Sequence, residues 1–272
     1  MLKTRVITAV VLLAILLAIL AIDSFPVFAG AATVFFGAAM WEGYRLFGNK
    51  RPVFGAAIWT AAFAFLAFRG MFQQSVLLYG LCALIWALRL TPSLKFGLPP
   101  LHGMGNRLLT AIYGVAILGC FGAILVLFQR SPAYLVSAMA IVWIADIGAY
   151  FAGKAFGKRK LAPSISPGKS WEGAVGGWLA VLAAASATIF FPLFRDTFAA
   201  QVQARFGWIV FLGVMTLLVA ASVVGDLFES QLKRRIGMKD SSKLLPGHGG
   251  VLDRVDALIP TLPLAVLFGF WN

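Results

Sequence analysis

The chain has 272 residues, of which 61% are hydrophobic and only 12% charged, whereas a soluble domain carries roughly 25% charged residues. This composition excludes an ordinary soluble enzyme, a disordered chain and a disulfide-rich scaffold. A net charge of +13 would suggest nucleic-acid binding on a soluble protein. In so apolar a chain it indicates basic residues at a membrane surface, and no nucleic-acid partner is predicted.

Nine apolar stretches follow one another along the chain, and a helix needs roughly 20 apolar residues to cross the hydrocarbon core of a membrane. The third, fourth and ninth stretches are short for this purpose. The first follows Lys3 and Arg5 as a signal peptide would, but its length favours a retained span. We therefore predict an all-α polytopic integral membrane protein, a single domain over residues 1–272 with about nine transmembrane helices. The predicted spans are Val6–Ile22, Phe25–Trp41, Phe54–Phe68, Val76–Leu90, Leu108–Phe128, Pro132–Gly153, Gly173–Phe194, Gly207–Phe228 and Ala257–Trp271.

The charged residues divide unevenly between the two sides of these spans. One side receives 19 of the 23 Lys and Arg residues. Because Lys and Arg collect in cytoplasmic loops, this side is predicted to be cytoplasmic, and the amino terminus lies on it. Eight of the ten acids fall there too, while Asp23 and Asp196 lie outside. Acids at the rim of a membrane are costly and tend to be functional, so this asymmetry predicts a polar site that opens to the cytoplasm.

The densest polar segment is 226–256. Asp226, Ser230 and Lys233 have the spacing of one helix face, and Asp253 and Asp256 are one helical turn apart. Two such carboxylate sets could hold Mg²⁺, which takes carboxylate, phosphate and water oxygens. The cations between them suit polyphosphate, and the glycines of 246–250 let backbone approach a ligand closely. The alternative is a basic cytoplasmic loop with ordinary salt bridges, but such a loop needs no glycine-flanked carboxylate pair.

A second polar segment covers 146–172. Asp146 lies inside the sixth predicted span, and the loop after it carries Ser166 and Lys169 within Ser-Ile-Ser-Pro-Gly-Lys-Ser. The end of this run is similar to a nucleotide P-loop, but Pro163 stands where the first glycine would be, and no strand precedes it. A loop that binds phosphate or a lipid headgroup is favoured over a plain basic patch.

The remaining polar residues give weaker signals. Glu42, at the cytoplasmic end of the second span, is interpreted as an interfacial anchor with an ion pair in preference to a site residue. His102 is interpreted as structural or solvent-facing, and His248 as a phosphate donor in preference to a turn residue. Cys82 and Cys120 stand alone in apolar runs and are interpreted as small core residues.

The segment from Ser230 to Asp256 resembles the signature of phosphatidate cytidylyltransferases, also called CDP-diacylglycerol synthases, of the bacterial type. The resemblance rests on Ser-Gln-Leu-Lys-Arg at 230–234, Lys239-Asp240, and Pro-Gly-His-Gly-Gly-Val-Leu-Asp-Arg-Val-Asp at 246–256. The stretch at 166–173 is similar to a second typical segment of that family, although Gly168 stands where the family often has lysine or asparagine.

The resemblance implies the reaction of CTP with phosphatidate from the bilayer, which gives CDP-diacylglycerol and pyrophosphate. It implies Mg²⁺ as cofactor, with room for a second, monovalent cation such as K⁺. It also implies a homodimer in the bacterial inner membrane, surrounded by membrane lipids, with the active site facing the cytoplasm and a lateral opening for the lipid near Asp146 and Asp226.

The resemblance also implies roles for the residues that match the family signature. Asp226, Asp253 and Asp256 are expected to hold metal. The catalytic set is Asp226, Ser230, Lys233, Arg234, Asp253 and Asp256. The substrate-binding set is Asp146, Ser166, Lys169, Lys239, Asp240, His248, Gly249 and Gly250.

Two other functions compete with this interpretation. An ion-coupled transporter would suit many spans with acids, but it predicts charges spread through the bilayer depth, and here the acids crowd one rim. A CDP-alcohol phosphotransferase would need an Asp-Gly motif followed by spaced aspartates on one span, which the sequence lacks.

Overall fold

The computed structural model describes residues 2–269, and these residues are mainly helical. The helices are α1 (Leu2–Ile22), α2 (Phe25–Leu46), α3 (Pro52–Phe68), α4 (Val76–Ile85), α5 (Thr91–Phe96), α6 (Met104–Arg130), α7 (Pro132–Phe156), α8 (Trp171–Phe190), α9 (Phe198–Arg235), α10 (Leu252–Val255) and α11 (Leu258–Gly269). A π-helical turn, Trp86–Leu90, joins α4 to α5, and a 3₁₀ turn, Pro192–Phe194, follows α8.

Six helical segments in the described part of the chain are long and apolar enough to cross a membrane: Phe25–Leu46, Val76–Phe96, Met104–Arg130, Pro132–Phe156, Trp171–Phe190 and Phe198–Arg235. The chain is therefore an α-helical, multi-pass membrane protein. Each predicted span overlaps a helix, but α3 has 17 residues and α11 has 12. The end of the ninth predicted span, at Phe270 and Trp271, lies outside the described residues. The count of nine spans and the orientation stay predictions.

Helix α6 forms the centre of the bundle, and its residues are buried along most of its length. Helices α2, α4 and α11 pack around it. Stacked and edge-on phenylalanines fill the space between α2, α3 and α6. The rings of Phe36 and Phe63 are 4.5 Å apart, and Phe121 meets Phe36 at 5.5 Å. These rings form part of the buried core of the protein.

Helix α9 is longer than the span predicted within it. It extends from Phe198 to Arg235 and is interrupted at Gly207, whose φ of 75° and ψ of 179° are not helical. The predicted span begins at this kink. The last three turns carry Asp226, Ser230 and Lys233, so the predicted helical spacing of these residues is confirmed.

One departure from an all-helical chain was not predicted. Strands β1 (Lys160–Ala162) and β2 (Ser166–Ser170) form an antiparallel hairpin between α7 and α8. The Glu172 carboxylate accepts hydrogen bonds from the backbone amides of Lys158 and Arg159. The loop predicted to bind phosphate therefore has a defined shape.

Helices α7 and α8 approach each other through small residues. A Cβ atom on Gly177 would overlap the carbonyl oxygen of Ala145, and one on Gly148 would lie 2.8 Å from the Cβ of Ala180. Close approach of this kind is how helices associate where no hydrophobic effect drives them together.

We expect Gly177→Ala to lower the melting temperature of the detergent-solubilised protein by several degrees, because overpacking a tight contact costs about 1–3 kcal/mol. Gly30→Ala is the matched control, since a Cβ there would meet nothing within 4 Å and alanine favours a helix. Thermal unfolding followed by circular dichroism compares the two. Equal melting temperatures would show that α7 and α8 need no glycine at this contact.

Candidate active site

The two polar segments identified in the sequence meet at one cavity of about 500 Å³. Helix α7 contributes Asp146, the hairpin contributes Ser166 and Lys169, and α9 contributes Asp226. Small residues of α7 and α8 complete the wall, including Gly153, Gly173 and Gly177. Residues 80 positions apart in the sequence, Asp146 and Asp226, thus face the same space.

An ion pair crosses this cavity. The Lys169 ammonium lies 2.5 Å from the Asp226 carboxylate, and the two side chains are 27% and 28% exposed. Ser230, one turn further along α9, donates a hydrogen bond of 3.2 Å to the other Asp226 oxygen. The hairpin lysine is therefore held over the acidic face of α9, at an accessible position.

A buried charge cluster lies at the end of α9. The Lys233 ammonium contacts Glu229 and Asp253 at 2.6 Å each. Glu229 is fully buried, and within residues 2–269 its second oxygen has no hydrogen-bond partner. Because buried charges must be compensated, Lys233 neutralises carboxylates of two different elements and joins α9 to α10.

The second oxygen of Asp253 is held by the loop before α10. It accepts hydrogen bonds from the Ser241 amide (2.8 Å), the Ser241 hydroxyl (2.9 Å) and the Gly250 amide (2.7 Å). Burial alone would raise the pKa of Asp253, but the hydrogen bonds from Lys233, Gly250 and Ser241 outweigh it and hold the pKa below its ordinary value. Asp253 is therefore fixed as a carboxylate.

Asp256 completes the acidic side of the site. Burial, together with the nearby charge of Asp226, raises the pKa of Asp256. In the described part of the chain, no three His, Cys, Asp or Glu side chains are grouped so that one ion could contact them all. The expected trio of Asp226, Asp253 and Asp256 is therefore not a preformed three-carboxylate site among the described residues. Asp226 and Asp256 lie close enough for the charge of Asp226 to affect the Asp256 carboxyl.

Two glycines let the loop 241–252 close around Asp253. Gly249 has a φ of +82°, and a Cβ on it would lie 2.6 Å from an Asp253 oxygen. A Cβ on Gly250 would overlap Ser241 and Glu42. The glycines expected to approach a ligand therefore approach side chains of the protein itself.

Glu42 corrects the sequence interpretation. It is fully buried and forms no salt bridge with any described residue. Its two oxygens accept four hydrogen bonds from the loop, from the hydroxyls of Ser241 and Ser242 and the amides of Val251 and Leu252. It is not an interfacial anchor with an ion pair, because the loop folds over it and supplies neutral donors instead of a cation.

Several predicted site residues do not line the cavity, among them Arg234, Lys239, Asp240 and His248. Arg234 is exposed, donates to the Met238 carbonyl at 3.1 Å and borders a separate depression of about 390 Å³. Lys239 and Asp240 are exposed on the loop. The backbone carbonyl of His248 accepts from Arg254, and its buried Nδ1 has no partner among residues 2–269.

Sequence reasoning missed Glu229, Ser241 and the role of Glu42. Glu229 could have been found, because it lies four residues before Lys233 on the same helix face. Glu42 could not, since it contacts a loop about 200 residues later in the chain.

Comparison with known sequences defines the class. The profile of the cytidylyltransferase family matches residues 3–271. The chain therefore belongs to this family.

Individual relatives carry a more specific name. A protein of Pseudomonas aeruginosa is 42% identical over 275 residues, which cover 97% of this chain and 95% of the relative. A Haemophilus influenzae protein is 37% identical over 295 residues, covering 100% and 99%. A Brucella suis protein is 48% identical over 136 residues, about half of each chain. All three are named phosphatidate cytidylyltransferase.

Proposed function

We propose that this protein transfers the cytidylyl group of CTP to phosphatidate and so makes CDP-diacylglycerol for phospholipid biosynthesis. The observation that carries the proposal is the cavity where Lys169 meets Asp226 beside the buried Asp253–Lys233 pair, in a chain of the cytidylyltransferase family. The comparisons give no support to an ion-coupled transporter.

In this reaction an oxygen of the phosphatidate phosphate forms a bond to the α-phosphorus of CTP. The bond from that phosphorus to the oxygen shared with the β-phosphorus breaks, and pyrophosphate leaves with the electron pair. Such a transfer needs positioning and compensation of phosphate charge more than covalent help. Lys169 is suited to receive a lipid phosphate, because its ammonium lies at an accessible position in the cavity.

The acidic residues of the site fit Mg²⁺ if phosphate oxygens of the substrate supply some of the ligands of the ion. Mg²⁺ commonly uses one or two carboxylates together with phosphate oxygens and water, so Asp226 and Asp256 would hold it without a third acid. When bound, the ion would neutralise charge on the phosphates. Asp253 would then orient Lys233 and the loop, a revision of its expected role as a ligand. A monovalent second ion and a homodimer remain predictions from the resemblance.

The substrates also suggest how the site is reached. The apolar outer faces of α7 and α8 would lie against the acyl chains, and the cavity bounded by α7, α8, α9 and the hairpin would receive the phosphate at headgroup depth. CTP would enter from the cytoplasm. We further propose that the protein lies in the bacterial inner membrane, with nine spans, a cytoplasmic amino terminus and the site at the cytoplasmic rim.

The function is tested with purified protein in mixed micelles containing phosphatidate, Mg²⁺ and CTP tritiated in the cytidine. Tritium should appear in the chloroform phase, and omission of phosphatidate or chelation of Mg²⁺ should abolish it. Failure of the folded protein to label lipid with several divalent metals would refute the proposal.

Lys169→Ala should raise the apparent KM for phosphatidate about 10- to 100-fold, because a hydrogen bond to a charged group is worth about 1.5–3 kcal/mol. The KM for CTP should change much less. Lys160→Ala is the control, since Lys160 lies on the same hairpin but does not line this cavity. A larger effect on CTP would reassign Lys169 to the nucleotide.

The orientation is tested by single cysteines at exposed positions. Asp196→Cys should react with a membrane-impermeant maleimide in intact cells, whereas Lys158→Cys should react only after permeabilisation. The native Cys82 and Cys120 are buried and should not react with the maleimide in intact or permeabilised cells. The opposite pattern would invert the predicted orientation.

A further inference from the structure

We infer that Glu42 is a positioning residue of the reaction, acting through the loop 241–252 on Asp253. The inference rests on the proposed function, to which it adds a residue from the second helix. Glu42 lies on α2, far in sequence from every residue of the signature segment, yet it lies beneath that segment.

The four hydrogen bonds to Glu42 are arranged in two matched pairs. One oxygen accepts from the Ser242 hydroxyl at 2.5 Å and the Val251 amide at 3.1 Å. The other accepts from the Ser241 hydroxyl at 3.1 Å and the Leu252 amide at 2.6 Å. Each oxygen thus joins the beginning of the loop to its end. The last of these donors, Leu252, is the residue directly before Asp253.

The Ser241 hydroxyl connects the two carboxylates. It lies 3.1 Å from a Glu42 oxygen and 2.9 Å from an Asp253 oxygen. The same Asp253 oxygen also accepts hydrogen bonds from the backbone amides of Ser241 and Gly250. A hydroxyl has one proton to donate, so the two acids share this single donor and only one of them receives its proton at a time. Displacement of Glu42 therefore changes the donors around Asp253 and, through it, the position of Lys233.

Glutamine cannot replace Glu42 in this geometry. Both oxygens of Glu42 face an N–H and an O–H donor. The amide nitrogen of glutamine is itself a donor, so one backbone amide would lose its acceptor whichever way the side chain turned. The site requires a carboxylate, although the described residues give it no cation.

The test measures kcat and KM, per folded protein, for Glu42→Gln, Ser241→Ala and the double variant. We expect Glu42→Gln to lower kcat about 100-fold with both KM values nearly unchanged, since a small misplacement of reacting groups has this effect. Ser241→Ala should lower kcat about 10-fold, and the double variant should be no slower than Glu42→Gln, because both changes break the same connection. Glu42→Asp, which keeps the charge, should recover part of the rate.

Asp196→Asn is the matched control, because Asp196 is an exposed carboxylate remote from the loop. A stable Glu42→Gln variant with unchanged kcat, or additive effects in the double variant, would overturn the inference. So would a loss confined to melting temperature, which a purely structural role predicts.

A second readout does not depend on activity. Hydrogen exchange at the Val251 and Leu252 amides should be faster in Glu42→Gln than in the wild type, because their acceptor is disturbed. Unchanged exchange would overturn the inference. An inactive wild type with faster exchange in the variant would instead refute the proposed function and leave Glu42 as the residue that fixes the loop.

Discussion

Asp253→Asn should lower kcat by about 100- to 1000-fold, the range seen when a preorganised electrostatic contact of a reaction is removed. One Asp253 oxygen accepts from Lys233 and the other from Ser241 and Gly250. In asparagine, an amide NH₂ group would replace one of these oxygens. That group is a donor, so it would face other donors and could not accept their hydrogen bonds. The turnover rate per folded protein, with size-exclusion chromatography as a check of folding, measures the effect.

Asp23→Asn is the control for this substitution. Asp23 is exposed and has a φ of 47°, a conformation that asparagine also tolerates. It should retain the wild-type rate. If Asp253→Asn retained a rate within about 3-fold of the wild type, less than about 1 kcal/mol of barrier, Asp253 would have no part in the chemistry.

Lys233→Met should produce the largest loss of stability. Methionine preserves the unbranched side chain but leaves Glu229 and Asp253 without their shared cation. Removing one partner of a buried ion pair costs about 3–5 kcal/mol, and the Lys233 side chain is only 11% exposed. The melting temperature in detergent at neutral pH should fall well below that of the wild type.

Lys158→Met tests whether loss of a positive charge alone explains the result. Lys158 is exposed, so its removal should leave the melting temperature nearly unchanged. Equal melting temperatures for Lys233→Met and Lys158→Met would mean that the buried cluster contributes little to stability. The account of Lys233 as the connection between α9 and α10 would then be wrong.

Features with a local sequence signal could be predicted. The helical face of Asp226, Ser230 and Lys233 follows from spacing alone, and the helices lie where apolar residues accumulate. The hairpin at 160–170 could not be predicted in this way, because its strands are short and its residues carry no alternating pattern. Its shape depends on Glu172, which holds the backbone from the start of the next helix.

The contacts that each polar side chain makes were harder to predict than its position along the chain. The sequence suggested that Lys233 binds phosphate and that Asp253 binds metal, since each type of residue is suited to that task. In the structure each is already engaged with the other. The partners of Glu42 could not be predicted either, because they are distant in sequence. Neutral hydrogen-bond donors, and not a cation, stabilise its negative charge.

The most direct test of the proposed chemistry compares CTP labelled with ³²P at the α-phosphorus and at the γ-phosphorus, each incubated with phosphatidate and Mg²⁺. The proposed reaction transfers the α-phosphorus to lipid and releases the other two phosphates. The wild type should therefore give chloroform-soluble label from α-labelled CTP only, and Asp253→Asn should give almost none. Label from the γ-position, or no lipid label from folded wild-type protein, would contradict cytidylyl transfer at this site.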